Sequence, residues 1–208
     1  MKLFKIILLI SLVILNTSCT SPVAGNSSET NNGVVVVAGA GIVKGKAPPY
    51  TSMYLIKENY QPFEAVNFDS AFTDSTGEFR FTAVGGAYNL FLYGNTGLRL
   101  LLKIALNEKT LTYDTLYDTL SLPGSVEGLS SSPQFRSSYL FLEGSTFFTK
   151  VDSNGYFRLD SIPEGEYTLK QLASSDIKNI SPETKDTLGY ELTSIIKIRS
   201  DSIVTLKW

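Results

Sequence analysis

The chain's 208 residues carry 18 basic and 20 acidic side chains, a formal net charge of −2, with no histidine and one cysteine. Without an imidazole to exchange a proton near neutral pH, Ser-His-Asp and Cys-His chemistry are excluded, and so are zinc sites built on Cys and His. Lys and Arg are scattered singly, which is the pattern of solvated surface and leaves no footprint for nucleic acid.

The chain begins with Lys2 and Lys5, followed by an almost wholly apolar run of ten residues, Ile6 to Leu15, then the small residues Thr17 and Ser18 and the cysteine Cys19. A bilayer span needs about 20 apolar residues, so this run is too short; its basic start and small-residue end read as a cleaved signal peptide over residues 1–18. Cys19 at the cleavage point resembles the lipobox of bacterial lipoproteins, with Asn16 and not the family's Leu three residues before it, and Leu15 one further back. The resemblance implies that the Cys19 thiol is lipidated and that the mature chain is held to a membrane by two or three acyl chains, at about 0.8 kcal/mol per buried methylene. With the thiol used, no disulfide can form and each domain must rest on its own apolar core. Thr20 stands where an Asp would resemble an inner-membrane retention signal, which favours the outer membrane and leaves open which side the domains face.

Residues 19–33 read as the lipidated cysteine and a flexible tether, rich in Thr, Ser, Gly, Asn and Pro. From Val34 on, short β-branched and aromatic runs alternate with Gly, Pro, Asp and Asn, which predicts an all-β chain. The runs also repeat. Gly41-Ile-Val-Lys-Gly45 is echoed by Gly124-Ser-Val-Glu-Gly128, Tyr54-Leu-Ile by Tyr139-Leu-Phe, and Asp74-Ser-Thr-Gly-Glu-Phe-Arg-Phe81 by Asp152-Ser-Asn-Gly-Tyr-Phe-Arg-Leu159. Tyr88-Asn-Leu90 then matches Tyr167-Thr-Leu169, and the closing strands Leu98–Leu106 and Leu111–Leu122 match Tyr190–Ile198 and Ser202–Trp208. Four blocks in one order predict two tandem domains, 34–122 and 123–208, stacked end to end with a small, fairly rigid junction.

Each repeat centres on Asp-x-x-Gly-x-Phe. Asp74 and Asp152 can bond backbone amides two residues on, and Gly77 and Gly155 can take the positive φ of a bulged hairpin. Phe79 and Phe81, or Phe157 and Leu159, then alternate onto the buried face. In the second repeat Pro163 and Gly165 precede Tyr167 and Leu169, an arrangement that resembles the tyrosine corner of β-sandwiches. Tyr88 holds the matching position after Val84-Gly-Gly-Ala, where the proline is missing.

Thr73–Phe81 and Asp152–Leu169 together resemble the signature of carboxypeptidase regulatory-like domains. Val43 and Val126 fit that family's opening strand, although its Pro-Leu-x-Gly-Ala turn follows neither. The resemblance implies two Greek-key, prealbumin-like (transthyretin-like), seven-stranded β-sandwiches without catalytic residues or cofactors. Fibronectin type III is the alternative fold, sharing the tyrosine corner but lacking the hairpin.

Other motifs have plainer readings. Gly39-Ala-Gly41-Ile-Val-Lys-Gly45 is a Gly-rich strand entry, since Ala47-Pro-Pro49 occupies the place of the helix a dinucleotide loop requires. Ser175-Asp-Ile-Lys178 and Ser194-Ile-Ile-Lys197 match Ser-x-x-Lys without the companion elements or helical frame. Asp152-Ser-Asn-Gly155 lacks the remaining ligands of a calcium loop, and Val204, Leu206 and Trp208 fit an ordinary closing strand. One asymmetry bears on binding: the first repeat inserts Lys57 to Phe68 where the second has only about Glu143 to Phe148. Tyr60, Phe63 and Phe68 are therefore candidates for an aromatic ligand patch, or else they pack over the sandwich edge. The sequence thus predicts a lipid-anchored, non-enzymatic envelope module whose partner is an envelope protein or a glycan; the alternative is a surface carbohydrate-binding or adhesive lipoprotein.

Overall fold

The computed structural model describes residues 39–64, 68–107, 109–131, 133–174, 176 and 192–207. The signal peptide, Cys19, the tether, Ser175, Lys178 and Trp208 lie outside the described residues.

Strands account for nearly all of the regular structure. The first seven are β1 (Ala40–Lys46), β2 (Ser52–Lys57), β3 (Phe68–Phe72), β4 (Glu78–Val84), β5 (Gly86–Tyr93), β6 (Arg99–Leu106) and β7 (Thr110–Tyr113). The next seven are β8 (Gly124–Leu129), β9 (Tyr139–Leu142), β10 (Phe148–Lys150), β11 (Tyr156–Ile162), β12 (Gly165–Leu172), β13 (Leu192–Ile198) and β14 (Ile203–Lys207). The first set makes sheets β4-β1-β7 and β3-β2-β5-β6, and the second makes β11-β8-β14 and β10-β9-β12-β13. In both sets the opening strand pairs antiparallel with the hairpin strand and parallel with the closing strand. The seven-stranded frame therefore occurs twice with one strand order.

Local chemistry explains the hairpins. Asp74 Oδ1 accepts from the Thr76 amide at 2.7 Å, and Asp152 Oδ1 from the Asn154 and Tyr156 amides, both at 2.8 Å. Gly77 and Gly155 follow with φ of +75° and +86°. The strands that leave these turns bury Phe79 and Phe81, or Phe157 and Leu159, and expose Glu78, Arg80, Tyr156 and Arg158. At the next corner Tyr167 donates its hydroxyl to the Pro163 carbonyl at 2.9 Å, and Tyr88 donates to Val84 at 2.8 Å. Only the acceptor's backbone takes part, which is why the corner forms in the first repeat without the proline.

Two expectations differ from the structure. The segment 111–122 is not one strand: β7 ends at Tyr113, where the chain turns so that the Leu116 amide reaches the Lys46 carbonyl at 2.9 Å and Leu116 plugs the end of the first core. A 3-10 turn at Tyr117–Thr119 follows, and Ser121 then pairs with Arg99.

The junction is also far from small. One apolar cluster belongs to the first sandwich, with Val43, Met53, Leu55, Phe79, Leu90 and Leu92 at its centre. The other joins Val126, Leu140, Phe157, Leu169 and Ile198 of the second sandwich to Ile56, Tyr60 and Phe91 of the first. Strand β5 is buried on both faces from Tyr88 to Leu92, with Leu90 and Leu92 turned to its own core and Phe91 to its neighbour's. The described residues of both sandwiches accordingly form one compact unit.

Candidate functional site

The junction is built where the β9–β10 turn meets the outer face of sheet β3-β2-β5-β6. Gly144 is held at both backbone groups, its amide donating to the Tyr60 carbonyl at 2.7 Å and its carbonyl accepting from Asn89 Nδ2 at 2.9 Å. Its φ is +69°, and a Cβ there would strike Asn89 Nδ2 and the Glu58 carbonyl. Beside it the Phe147 ring meets Phe91 with centroids 6.0 Å apart. Thr146 hydrogen-bonds Tyr93, whose hydroxyl is pushed up to about 12 chiefly by burial, against the opposing pull of the Arg99 charge.

The described residues of the Lys57–Phe68 insertion pack against this arrangement. Tyr60 is buried at 4 % exposure, and burial, helped by the Glu64 charge, raises its phenol above the usual range. Phe68 lies edge-on to Tyr54 and Tyr60 at 5.8 and 5.9 Å. Phe63 reaches across to the second sandwich, where Tyr139, Phe141 and Phe148 surround it at 5.2–5.7 Å. Tyr60 and Phe68 are thus neighbours and Phe63 is directed elsewhere. The three rings fill the space between sandwiches, as in the packing alternative, and do not form one exposed patch.

Above the junction opens a cleft of ≈ 560 Å³, lined among others by Lys57, Glu58, Asn89, Lys103, Glu143 and Glu166. Its charges are mixed: Lys103 stands 4.0 Å from Glu58, and Lys170 pairs with Glu143 at 2.6 Å on the buried side. The Asn89 Oδ1 is buried without a hydrogen-bond partner among the described residues. Such a lining offers polar contacts of both signs. Ser194 and Lys197, from the Ser-x-x-Lys match, sit three residues apart on a β-strand and so project to opposite faces. Asp152-Ser-Asn-Gly155 is spent on its hairpin turn, and no group of three or more His, Cys, Asp or Glu lies together as a metal site among the described residues.

A second feature escaped sequence reading. The outer face of sheet β3-β2-β5-β6 continues beyond the junction as a band of rings, Tyr54 edge-on to Tyr93 at 5.5 Å with the Arg99 guanidinium 4.7 Å over Tyr93. It ends in two exposed rings, Tyr50 at 53 % and Phe72 at 63 %, with centroids 6.3 Å apart. The alternation Phe68, Ser70, Phe72 was the available signal. Tyr50 joins only through the turn that follows Pro48-Pro49, which no periodicity reveals.

No family model matches the chain, and no curated protein matches it. Among solved structures it is similar to GBS52, the minor pilin of Streptococcus agalactiae, at 12 % identity over 80 % of this chain and 94 % of that one, TM-score 0.36. A streptococcal ancillary pilin matches at 12 % identity over 83 % of this chain and 63 % of its own, TM-score 0.32. BcpA, the major pilin subunit of Bacillus cereus, matches at 10 % over 81 % and 69 %, TM-score 0.30. Likenesses of this size assign no function to the chain.

Proposed function

We propose that the chain is a lipid-anchored, non-catalytic binding or structural module of the bacterial cell envelope, built from two carboxypeptidase regulatory-like sandwiches and attached to the outer membrane through Cys19. The observation that carries this reading is the duplicated seven-stranded frame closed through a shared apolar core, following a segment with the layout of a lipoprotein signal. The Asp-x-x-Gly-x-Phe hairpin and tyrosine corner of both repeats support the family reading. Their polar groups are consumed in holding turns, which suits a frame that presents surface to an envelope protein or a glycan.

The test is membrane fractionation and protease shaving of intact cells, with Cys19→Ala as control. The anchored protein is expected to sediment with outer membranes and the Cys19→Ala chain to be released; retention of the variant would sink the anchor. Digestion from outside would place the domains on the surface, and protection until the outer membrane is opened would place them in the periplasm.

A further inference from the structure

We propose that Tyr50 and Phe72 form a stacking platform for a neutral glycan. The inference rests on the binding-module reading above and names its ligand class.

The argument starts from the two repeats, which build the same turn with different side chains. In the first, the Tyr50 amide donates to the Thr73 carbonyl at 3.1 Å, the Thr73 amide to Thr51 at 3.0 Å, and the Thr51 hydroxyl to Pro48 at 2.7 Å. In the second, the Ser137 amide donates to Val151 at 3.1 Å, the Val151 amide to Ser138 at 2.9 Å, and the Ser138 hydroxyl to Phe135 at 2.7 Å. Tyr50 and Ser137 have φ of +61° and +66°. The fold therefore demands a left-handed residue here, a conformation that bulky side chains adopt reluctantly. Ser meets the demand in the second repeat. At the strand position beside it, where the first repeat exposes Phe72, the second carries Lys150.

Neither aromatic is thus required by the frame, and one is placed at a conformational cost, which points to use of the surface. Thr73 Oγ1 strengthens the turn by accepting from the Thr51 amide at 2.8 Å and donating to the Pro48 carbonyl at 2.8 Å, so Tyr50 stands on a doubly tied support. Stacking needs such a support, because a ring fixed in advance loses little freedom on binding.

Size and charge choose the occupant. Two rings offer about 150–250 Å² each when wholly covered, well under the about 800 Å² per partner of a stable protein interface. An acyl chain requires a concave, enclosed apolar site, and these rings project from a turn and a strand end. The chain neighbours Pro49, Thr51, Ala71 and Thr73 and the cross-strand partner Ser52 carry no charge, and the cation of the band, Arg99, already lies over the Tyr93 ring and donates to the Gly94 and Leu98 carbonyls. A sugar ring fits both features: its C–H face lies on an aromatic ring, and its rim hydroxyls are within the reach of a face that also carries the accessible hydroxyls of Ser52 and Ser70.

The test is affinity electrophoresis of the full mature chain in gels containing soluble neutral polysaccharides (galactomannan, hydroxyethyl cellulose, dextran, arabinoxylan), with alginate as a charged comparison. The variant is Tyr50→Ser with Phe72→Lys, the pair the second repeat itself uses, so the turn is kept; its thermal midpoint is expected to be unchanged or raised. Retardation in at least one neutral gel, lost in the variant, is the expected result. No retardation of the native chain in any neutral gel, equal retardation of the variant, or retardation in alginate alone would each overturn the proposal. Membrane release of the Cys19→Ala chain is scored separately, so failure of the glycan site is distinguishable from failure of the anchored-module reading.

Discussion

At Gly155 the demands of backbone and space coincide. Its φ of +86° lies where L residues rarely sit, and an added Cβ would strike the Ser130 carbonyl oxygen. Gly155→Ala is expected to lower stability by about 1 kcal/mol or more, read as a shift in the urea midpoint; an unmoved midpoint would remove the hairpin from the account. Tyr93 makes a different prediction. Its phenol ordinarily ionises near 10, and in the fold it is raised to about 12, mainly by burial. The folded chain therefore holds this proton more tightly than the unfolded chain. The stability that depends on it is complete below pH 10 and declines as pH rises from 10 through 12. Tyr167, also raised by burial and further by Tyr93, acts in the same direction. Urea titrations across this range should show stability falling with pH in the native chain and falling less steeply in Tyr93→Phe. Parallel curves would show that Tyr93 keeps its ordinary affinity for the proton.

At the scale of the element, each repeat's corner is a single hydroxyl-to-carbonyl bond from a strand back to the preceding turn. Removing it by Tyr88→Phe or Tyr167→Phe leaves the ring in place and is expected to cost about 0.5–1.5 kcal/mol in either repeat; equal midpoints for native chain and variant would show that the bond adds nothing. The turns and the inward alternation of Phe79, Phe81, Phe157 and Leu159 were legible because they follow from neighbours within a few residues. The end of β7 was not, because Tyr113 and Leu120 are both apolar and only the bond from Leu116 to Lys46 shows where the chain leaves the sheet. The insertion was visible as extra length, but its rings carry no mark of what will cover them. Phe63 is fixed by Tyr139, Phe141 and Phe148, more than seventy residues away in sequence. The exposed pair at Tyr50 and Phe72 was hidden for a related reason: one ring comes from a turn and the other from a strand.

For the whole molecule, the question is whether two sandwiches behave as one. Strand β5 gave a hint in its sequence, since Leu90-Phe91-Leu92-Tyr93 lacks the apolar and polar alternation of a strand with one wet face. In the structure Phe91 is fully buried in the second sandwich's cluster while Leu90 and Leu92 serve the first. The second sandwich cannot unfold without exposing that face of the first. The chain is therefore expected to melt in a single calorimetric transition despite its duplicated frame. Phe91→Ala removes the ring that meets Phe147 and should cost about 3–5 kcal/mol. Because that loss falls where the first sandwich closes the second's cluster and leaves the first sandwich's own core intact, it should split the transition in two, whereas Leu92→Ala, inside the first core, should lower one undivided transition. Two transitions in the native chain would mean that the shared cluster does not couple the sandwiches. One transition in Phe91→Ala, simply moved to lower temperature, would mean that the coupling lies in the Gly144 clamp and the Phe63 contacts.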